Sequence, residues 1–165
     1  MLKKYLLSVL LIAGCLFTPS GFASLNGDKA MGIVAGFNSK NRSALAGIYF
    51  SYGFSEHFRV VPNIRYVFQN RNQEVISMSL DTHYPFRVNS AGNFQIYPLA
   101  GLTYASNNTK SPDDVSTRYY RFGLNFGGGA NLNLSPTLRL NLEGRYSLIK
   151  NFPTMNVSVG IGYCF

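Results

Sequence analysis

The sequence is poor in charged residues, and after its first segment it contains no long apolar run. Charged residues make up only 13% of the 165 residues, whereas aromatic residues reach 15% and glycine occurs 16 times. This composition fits neither a disordered chain nor an ordinary soluble helical domain. No stretch after the amino-terminal segment has eighteen consecutive apolar residues, which excludes a transmembrane helix there. The composition favours closely packed strands in a single domain.

Cysteine and histidine are also scarce, with two of each. Cys15 lies in a segment that we expect to be removed, which would leave Cys164 as the only cysteine and no disulfide within the mature chain. His57 and His83 lack the spacing of metal ligands. We therefore predict no bound metal and no cofactor.

The amino terminus has the pattern of a secretory signal peptide. Lys3 and Lys4 precede an apolar core over residues 5–17, and Gly21-Phe22-Ala23 is a small-x-small cleavage pattern. The apolar core is shorter than the roughly 20 residues that a membrane-spanning helix needs. We predict a signal peptide over residues 1–23 and an exported domain over residues 24–165. Ile12-Ala13-Gly14-Cys15 resembles a bacterial lipoprotein cleavage box, so acylation of Cys15 is an alternative.

Large apolar residues alternate with small or polar ones along the whole exported domain. The alternation is unbroken over the last eleven residues, 155–165. Successive side chains of a strand point to opposite faces, so this pattern predicts strands with one apolar face. Pro62 cannot donate a ladder hydrogen bond within the third strand. We predict a long polar loop over residues 106–117 and eight strands, over residues 29–37, 43–54, 58–69, 75–86, 94–104, 119–132, 138–148 and 155–165.

Eight strands joined in order favour an all-β, antiparallel up-and-down barrel, which has two possible orientations of its apolar face. A soluble lipocalin-like carrier turns that face inward around a ligand, whereas a transmembrane barrel turns it toward lipid. The polar face combines charged residues with glycines, and the glycines make room for long side chains inside a narrow tube. This combination favours the membrane orientation and predicts an interior in which Asp81 and Glu143 lie among Arg59, Arg65, Arg121, Arg139 and Arg145. The glycines of that face are Gly47, Gly53, Gly101, Gly123, Gly127, Gly129, Gly160 and Gly162.

Aromatic residues of the apolar face cluster at alternate strand ends. Such clusters are typical of the aromatic girdles that mark the two interfaces of a bilayer. If the first strand leaves the periplasm, we expect a periplasmic girdle of Phe54, Phe58, Tyr84, Phe86, Phe94, Tyr163 and Phe165, and an outer girdle of Phe37, Phe68, Tyr104, Tyr120 and Tyr146.

The region from Lys29 to Phe165 resembles the small eight-stranded outer-membrane β-barrel proteins, the OmpA-type transmembrane domain and the OmpX-type proteins. The resemblance is carried by the strand pattern and by the terminal Val-Gly-Ile-Gly-Tyr-Cys-Phe, residues 159–165. It implies a monomer in the outer membrane of a Gram-negative bacterium. It also implies that Tyr163 and Phe165 form the terminal signal read by the barrel assembly machinery. No peptidoglycan-binding domain follows Phe165, so we expect no attachment to the cell wall by that route.

The resemblance indicates architecture and leaves several functions open. We predict a structural or surface-interaction role, with a small anion-selective, porin-like channel as one alternative. Binding of lipid or lipopolysaccharide is another, because basic residues lie in or beside the presumed extracellular loops. We expect no interaction with nucleic acid. The basic residues are Lys40, Arg42, Arg71, Lys110, Arg118 and Lys150.

Catalysis is disfavoured, although Ser79, Asp81 and His83 share one face of a strand. Because a strand rises about 3.3 Å per residue, neighbouring members of this set are nearly 7 Å apart, beyond hydrogen-bond reach. We therefore predict a protein that is not an enzyme.

Overall fold

Eight long strands and one short strand form the described part of the protein. The computed structural model describes residues 27–70, 73–89, 93–110, 116–150 and 152–165; the predicted signal peptide and Arg71 lie outside these ranges. The strands are β1 Lys29–Asn38, β2 Ser43–Ser55, β3 Phe58–Asn70, β4 Gln73–His83, β5 Phe86–Arg87, β6 Phe94–Lys110, β7 Ser116–Asn133, β8 Leu138–Ile149 and β9 Thr154–Cys164. In this part of the chain no helix is long and apolar enough to cross a membrane.

Apart from β4 and β5, every two consecutive strands pair antiparallel, and the sheet closes on itself. β1 pairs with β9, and β4 pairs with β6. The two-residue β5 follows β4 after Tyr84-Pro85 and also pairs with β6, so β4 and β5 together supply one strand of the barrel. The predicted eight-stranded, antiparallel up-and-down barrel is confirmed.

The apolar face of the strands points outward, as the alternation predicts. Ile48, Leu80, Leu124 and Val159, on four different strands, are each 46–57% exposed. Their neighbours of opposite parity point inward, where many polar side chains are buried. The barrel therefore has an apolar exterior and an interior filled by side chains, which is the arrangement of a bilayer-spanning barrel rather than of a lipocalin.

Pro62 lies within β3 and shows how the barrel tolerates a residue without an N–H group. It pairs with Leu80 on β4. On the β2 side, the register passes from Tyr49↔Asn63 to Tyr52↔Val60 without a partner for Pro62. Since proline cannot donate, the ladder with β2 is interrupted there while the ladder with β4 continues.

The predicted loop over residues 106–117 is wrong for most of its length. β6 extends to Lys110 and β7 begins at Ser116, with Asn107 paired to Tyr119 and Thr109 to Thr117. The Asn- and Ser-rich composition gave a loop signal, but backbone pairing along a hairpin does not need apolar side chains. Only residues 111–115 of the predicted loop lie outside the described strands.

The two ends of the barrel differ. We call the end that carries Asp28 and Phe165 the termini end, and the opposite one the loop end. At the termini end Phe54 contacts Phe58, with ring centroids 6.1 Å apart, and Tyr163 stacks on Phe165 at 6.3 Å. At the loop end Tyr104 stacks on Tyr120 at 5.9 Å. Aromatic contacts thus lie at both strand ends, where girdles were expected.

Candidate functional site

Two carboxylates and two guanidinium groups meet at the centre of the barrel. Glu143 Oε1 lies 2.7 Å from Arg65 Nη2 and 2.9 Å from Arg145 Nη2, and the same Arg145 nitrogen lies 2.6 Å from Asp81 Oδ2. All four side chains are at most 5% exposed. We call these four residues the central cluster. Two positive and two negative charges balance there, which buried ions require.

Amide and hydroxyl groups complete the hydrogen bonding of the central cluster. Asp81 accepts from Asn63 Nδ2 at 2.6 Å and from Asn125 Nδ2 at 2.9 Å. The Tyr97 hydroxyl donates to Glu143 Oε2 at 3.2 Å and accepts from Asn141 Nδ2 at 2.5 Å. Each charge is therefore held by several partners.

Ser79, Asp81 and His83 have separate partners. The Ser79 hydroxyl donates to Thr103 Oγ1 at 2.9 Å, while Asp81 belongs to the central cluster. The His83 ring stacks on Tyr97, with centroids 4.3 Å apart. The three side chains do not form a hydrogen-bonded triad.

Arg59 and Arg139 form a second cluster at the termini end, around a carboxylate that the sequence analysis missed. Asp28 Oδ2 lies 3.0 Å from Arg59 Nη2 and 2.6 Å from Arg139 Nη2. Arg139 Nε also donates to Asn133 at 2.9 Å. We call Asp28, Arg59 and Arg139 the mouth cluster. Asp28 was missed because it immediately precedes the first alternating residue.

Arg121 lies apart from both clusters. Its guanidinium carbon lies 5.5 Å from the centroid of the Tyr119 ring, near the loop end of β7. The parity of Arg121 is inward, but Gly123, its neighbour on the same face, pairs with the last residue of β8, Ile149. Arg121 is therefore beyond the end of β8, where the barrel wall is no longer complete on that side.

Interior tyrosines, rather than arginines alone, occupy the space that glycines leave. A Cβ at Gly129 would lie 2.5 Å from the Tyr97 hydroxyl oxygen, and one at Gly162 would overlap the Tyr49 hydroxyl. Arg65 is a near neighbour only at Gly47, where its Cγ would lie 3.0 Å away. The alternation predicts space on this face but does not say which side chain fills it.

An apolar cluster closes the interior at the loop end, and the sequence analysis did not predict it. Its members are inward-facing residues of β2, β3, β4, β6 and β8 together with one residue after β8. Val67 and Val75, on a face assigned as polar, were the signal that was passed over, while Ala105, Ile149 and Phe152 lie outside the predicted strands. The members are Leu45, Val67, Val75, Ala105, Ile149 and Phe152, all at most 7% exposed.

Little space remains inside the barrel. One interior cavity, on the mouth-cluster side of the central cluster, has a volume of about 20 Å³, and a second, on the loop-end side, also about 20 Å³. Each is about large enough for one water molecule. Among the described residues, no group of three or more His, Cys, Asp or Glu side chains is placed to hold a metal ion. The interior is thus built for packing and hydrogen bonding.

Comparison with known proteins gives the same architecture. The model of the outer membrane protein beta-barrel domain matches residues 14–165. No curated protein sequence matches the chain significantly. The amino-terminal β-barrel domain of Pseudomonas aeruginosa OprF superposes with a TM-score of 0.72 at 15% identity, covering 85% of this chain and 98% of that one.

Two further solved structures share the fold. Neisserial surface protein A superposes with a TM-score of 0.68 at 16% identity, over 88% of this chain and 100% of that one. The attachment invasion locus protein Ail of Yersinia pestis superposes with a TM-score of 0.62 at 17% identity, over 85% and 99%. Together with the exposed apolar face and the filled interior, the family match shows that this chain belongs to the outer membrane protein β-barrel domain family and is an integral protein of the outer membrane.

Proposed function

We propose that this protein is a surface-interaction barrel, in which a closed membrane anchor presents the projecting part of the β6–β7 hairpin to anionic glycans outside the cell. The hairpin carries this proposal because it continues for seven residue pairs, from Tyr104↔Phe122 to Lys110↔Ser116, past the last pair between β7 and β8. On its other side β4 remains paired with β6 as far as Gln73↔Thr109, so the hairpin extends beyond β8 and is supported by β4. At about 3.3 Å per residue, this length is roughly 20 Å. We call residues 104–110 and 116–122 the projecting hairpin.

The chemistry of the projecting hairpin suits a polyanionic sugar. Tyr119 and Tyr120 are 50% and 58% exposed, and Arg121 lies over the Tyr119 ring. Aromatic faces pack against sugar rings, and a guanidinium group binds sulfate or phosphate in a bidentate manner. The full sequence has a net charge of +8, of which Lys3 and Lys4 of the predicted signal peptide contribute two, and the remaining positive charge attracts anionic polymers over longer distances. A structure of Ail in complex with the heparin analogue sucrose octasulfate shows that a barrel of this fold binds such a ligand.

Binding of labelled dextran sulfate to intact cells that express the protein tests this proposal. Replacing residues 107–119 with an Asn-Gly turn removes most of the projecting hairpin and leaves Ser106 and Tyr120 as the flanking pair. We expect binding to fall at least fivefold, and neutral dextran to bind to neither form. Arg87→Gln removes a positive charge at the termini end, far from the hairpin, and should bind normally. Undiminished binding by the shortened variant would refute the proposal.

Contact with lipopolysaccharide is a second candidate, favoured by a groove on the outer wall. The groove has a volume of about 680 Å³, is lined by apolar residues of β3, β4, β6, β7 and β8, and reaches Lys150 at the loop end. An acyl chain in the groove would place a headgroup phosphate near the Lys150 ammonium group. Lys150→Gln should then lower the amount of lipopolysaccharide that copurifies with the barrel, whereas Arg87→Gln should not.

The channel alternative has less support than these two. The two interior cavities hold about one water molecule each, and the apolar cluster lies across the interior at the loop end. A dry, apolar constriction opposes the passage of ions.

A further inference from the structure

The termini end of the barrel contains an open chamber that no function proposed above uses. Its volume is about 440 Å³, within the size range of small-ligand sites. Residues from the β2–β3 turn, β5, β6, the β7–β8 turn and the carboxy terminus line it, and the mouth cluster forms its floor. We call it the vestibule; the predicted orientation places it on the periplasmic side.

The mouth cluster at the vestibule floor has two guanidinium groups and one side-chain carboxylate. Arg59 and Arg139 share a single carboxylate, and both bond to the same oxygen, Asp28 Oδ2. The central cluster cannot neutralise the surplus, because its own two carboxylates already face two guanidinium groups. At the rim, exposed Arg87 and exposed Glu56 offset each other. The mouth cluster itself therefore contains one more guanidinium group than carboxylates.

Two deeply buried polar atoms of the vestibule lining have no partner among the described residues. One is Arg59 Nε, a donor, and the other is Gln95 Oε1, an acceptor. Both residues are 6% exposed. An unpaired buried polar atom costs about 1–3 kcal/mol, so such atoms mark places where a partner is missing. Arg59 and Gln95 both line the vestibule, and the two unpartnered atoms lie just below its surface, where a small side-chain movement presents one donor and one acceptor to an occupant.

We infer that the vestibule is a binding site for a small ligand that carries an oxyanion, either a carboxylate or a phosphate, and a hydroxyl or amide N–H group. The oxyanion binds at Arg59 and takes up the surplus charge of the mouth cluster. The hydroxyl or N–H group donates to Gln95 Oε1. Arg87 at the rim attracts the ligand without forming part of the buried floor. This inference is independent of the proposed function, because it concerns the opposite end of the barrel.

The Arg59 Nε–Hε resonance of the isotope-labelled barrel in nanodiscs reports directly on this site. Glycerol 3-phosphate serves as the phosphate probe, with glycerol as its neutral control. N-acetyl-alanyl-alanine serves as the carboxylate probe, with its carboxy-terminal amide as control. We expect a saturable shift with at least one anionic probe and none with either neutral control. A response to one probe alone identifies the source as a phosphate or a carboxylate, and a response to both supports a general oxyanion site.

Three variants separate ligand binding from folding. Arg87→Gln should weaken binding about threefold or more, and Gln95→Leu should weaken it about tenfold, as expected for loss of a hydrogen bond to a buried acceptor. Lys150→Gln, which removes a charge at the loop end, should leave the affinity unchanged. The mobility of the unheated barrel in a gel confirms that each variant is folded. The inference is overturned if neither anionic probe shifts the resonance, if the neutral controls shift it equally, or if Gln95→Leu binds as the parent does.

Discussion

The Glu143 carboxylate forms ion pairs with two buried guanidinium groups, those of Arg65 and Arg145. Removing one partner of a buried ion pair costs more than the pair itself contributes, because the remaining charge stays desolvated. We expect Glu143→Gln to lower the free energy of unfolding by about 3–5 kcal/mol. Urea unfolding in lipid vesicles, followed by circular dichroism, measures this change.

Glu56→Gln is the matched control, because the Glu56 side chain is exposed in a turn. Its free energy of unfolding should stay within about 0.5 kcal/mol of the parent value. Equal effects of the two substitutions would show that the central cluster does not stabilise the barrel.

Alanine substitutions at two glycines of the barrel wall are expected to change the free energy of unfolding differently. A Cβ at Gly101 would lie 2.5 Å from the Leu80 carbonyl oxygen and would overlap Asp81 Oδ1, whereas a Cβ at Gly144 would meet nothing within 4 Å. Gly101→Ala should therefore destabilise the barrel by about 1–3 kcal/mol. Gly144→Ala should be neutral or slightly stabilising, since it restricts the unfolded chain. Urea unfolding in lipid vesicles measures both changes. A Gly101→Ala variant as stable as the parent would contradict the described packing.

Individual side-chain contacts were only partly predictable from the sequence. Parity alone predicts that Arg65, Asp81 and Glu143 point inward, because it fixes the face of a strand. It does not fix the height of a residue along the barrel axis, which depends on strand register. Arg59 therefore reaches Asp28 at the mouth, and Arg121 lies beyond the end of β8.

Among the strands, β9 closes the barrel against β1 and is followed directly by the aromatic residue Phe165. Tyr163 and Phe165 are proposed to form the signal read during assembly. Phe165→Ala should then lower the amount of folded barrel in the outer membrane of cells several-fold. The purified variant should refold into vesicles as the parent does, because Phe165 follows Cys164, whose pairing with Ala30 is the last one between β9 and β1.

Phe86→Ala is the control for a girdle residue, because Phe86 is 46% exposed at the same end of the barrel. It should assemble normally in cells. If both variants assemble equally well, the terminal residue has no special role.

The strands themselves were predicted well, and the β6–β7 hairpin was not. Apolar and polar residues alternate in the strands that have one face toward lipid. A shift of the strand register by one residue would turn the apolar side chains inward. Beyond the bilayer no such constraint acts, and residues 106–110 and 116–117 show a polar composition that also occurs in loops. Their pairing depends on the neighbouring strands, which local composition does not reveal.

Over the described residues the molecule is a closed barrel, and two cavities in its interior have volumes of about 20 Å³ each. Purified protein in a planar bilayer should give no conductance steps over a wide range of voltage, because the apolar cluster and the central cluster lie in series along the axis. Reproducible anion-selective steps would contradict a permanently filled interior.

The orientation of the two faces is the claim on which all the others depend, and contact between methyl groups and lipid tests it most directly. In nanodiscs with protonated lipids, nuclear Overhauser effects from the acyl chains should reach the methyl groups of Ile48, Leu80, Leu124 and Val159, which are exposed. They should not reach Leu45 and Val61, which are buried. Acyl-chain contacts to Leu45 and Val61, with none to the four exposed residues, would contradict the account.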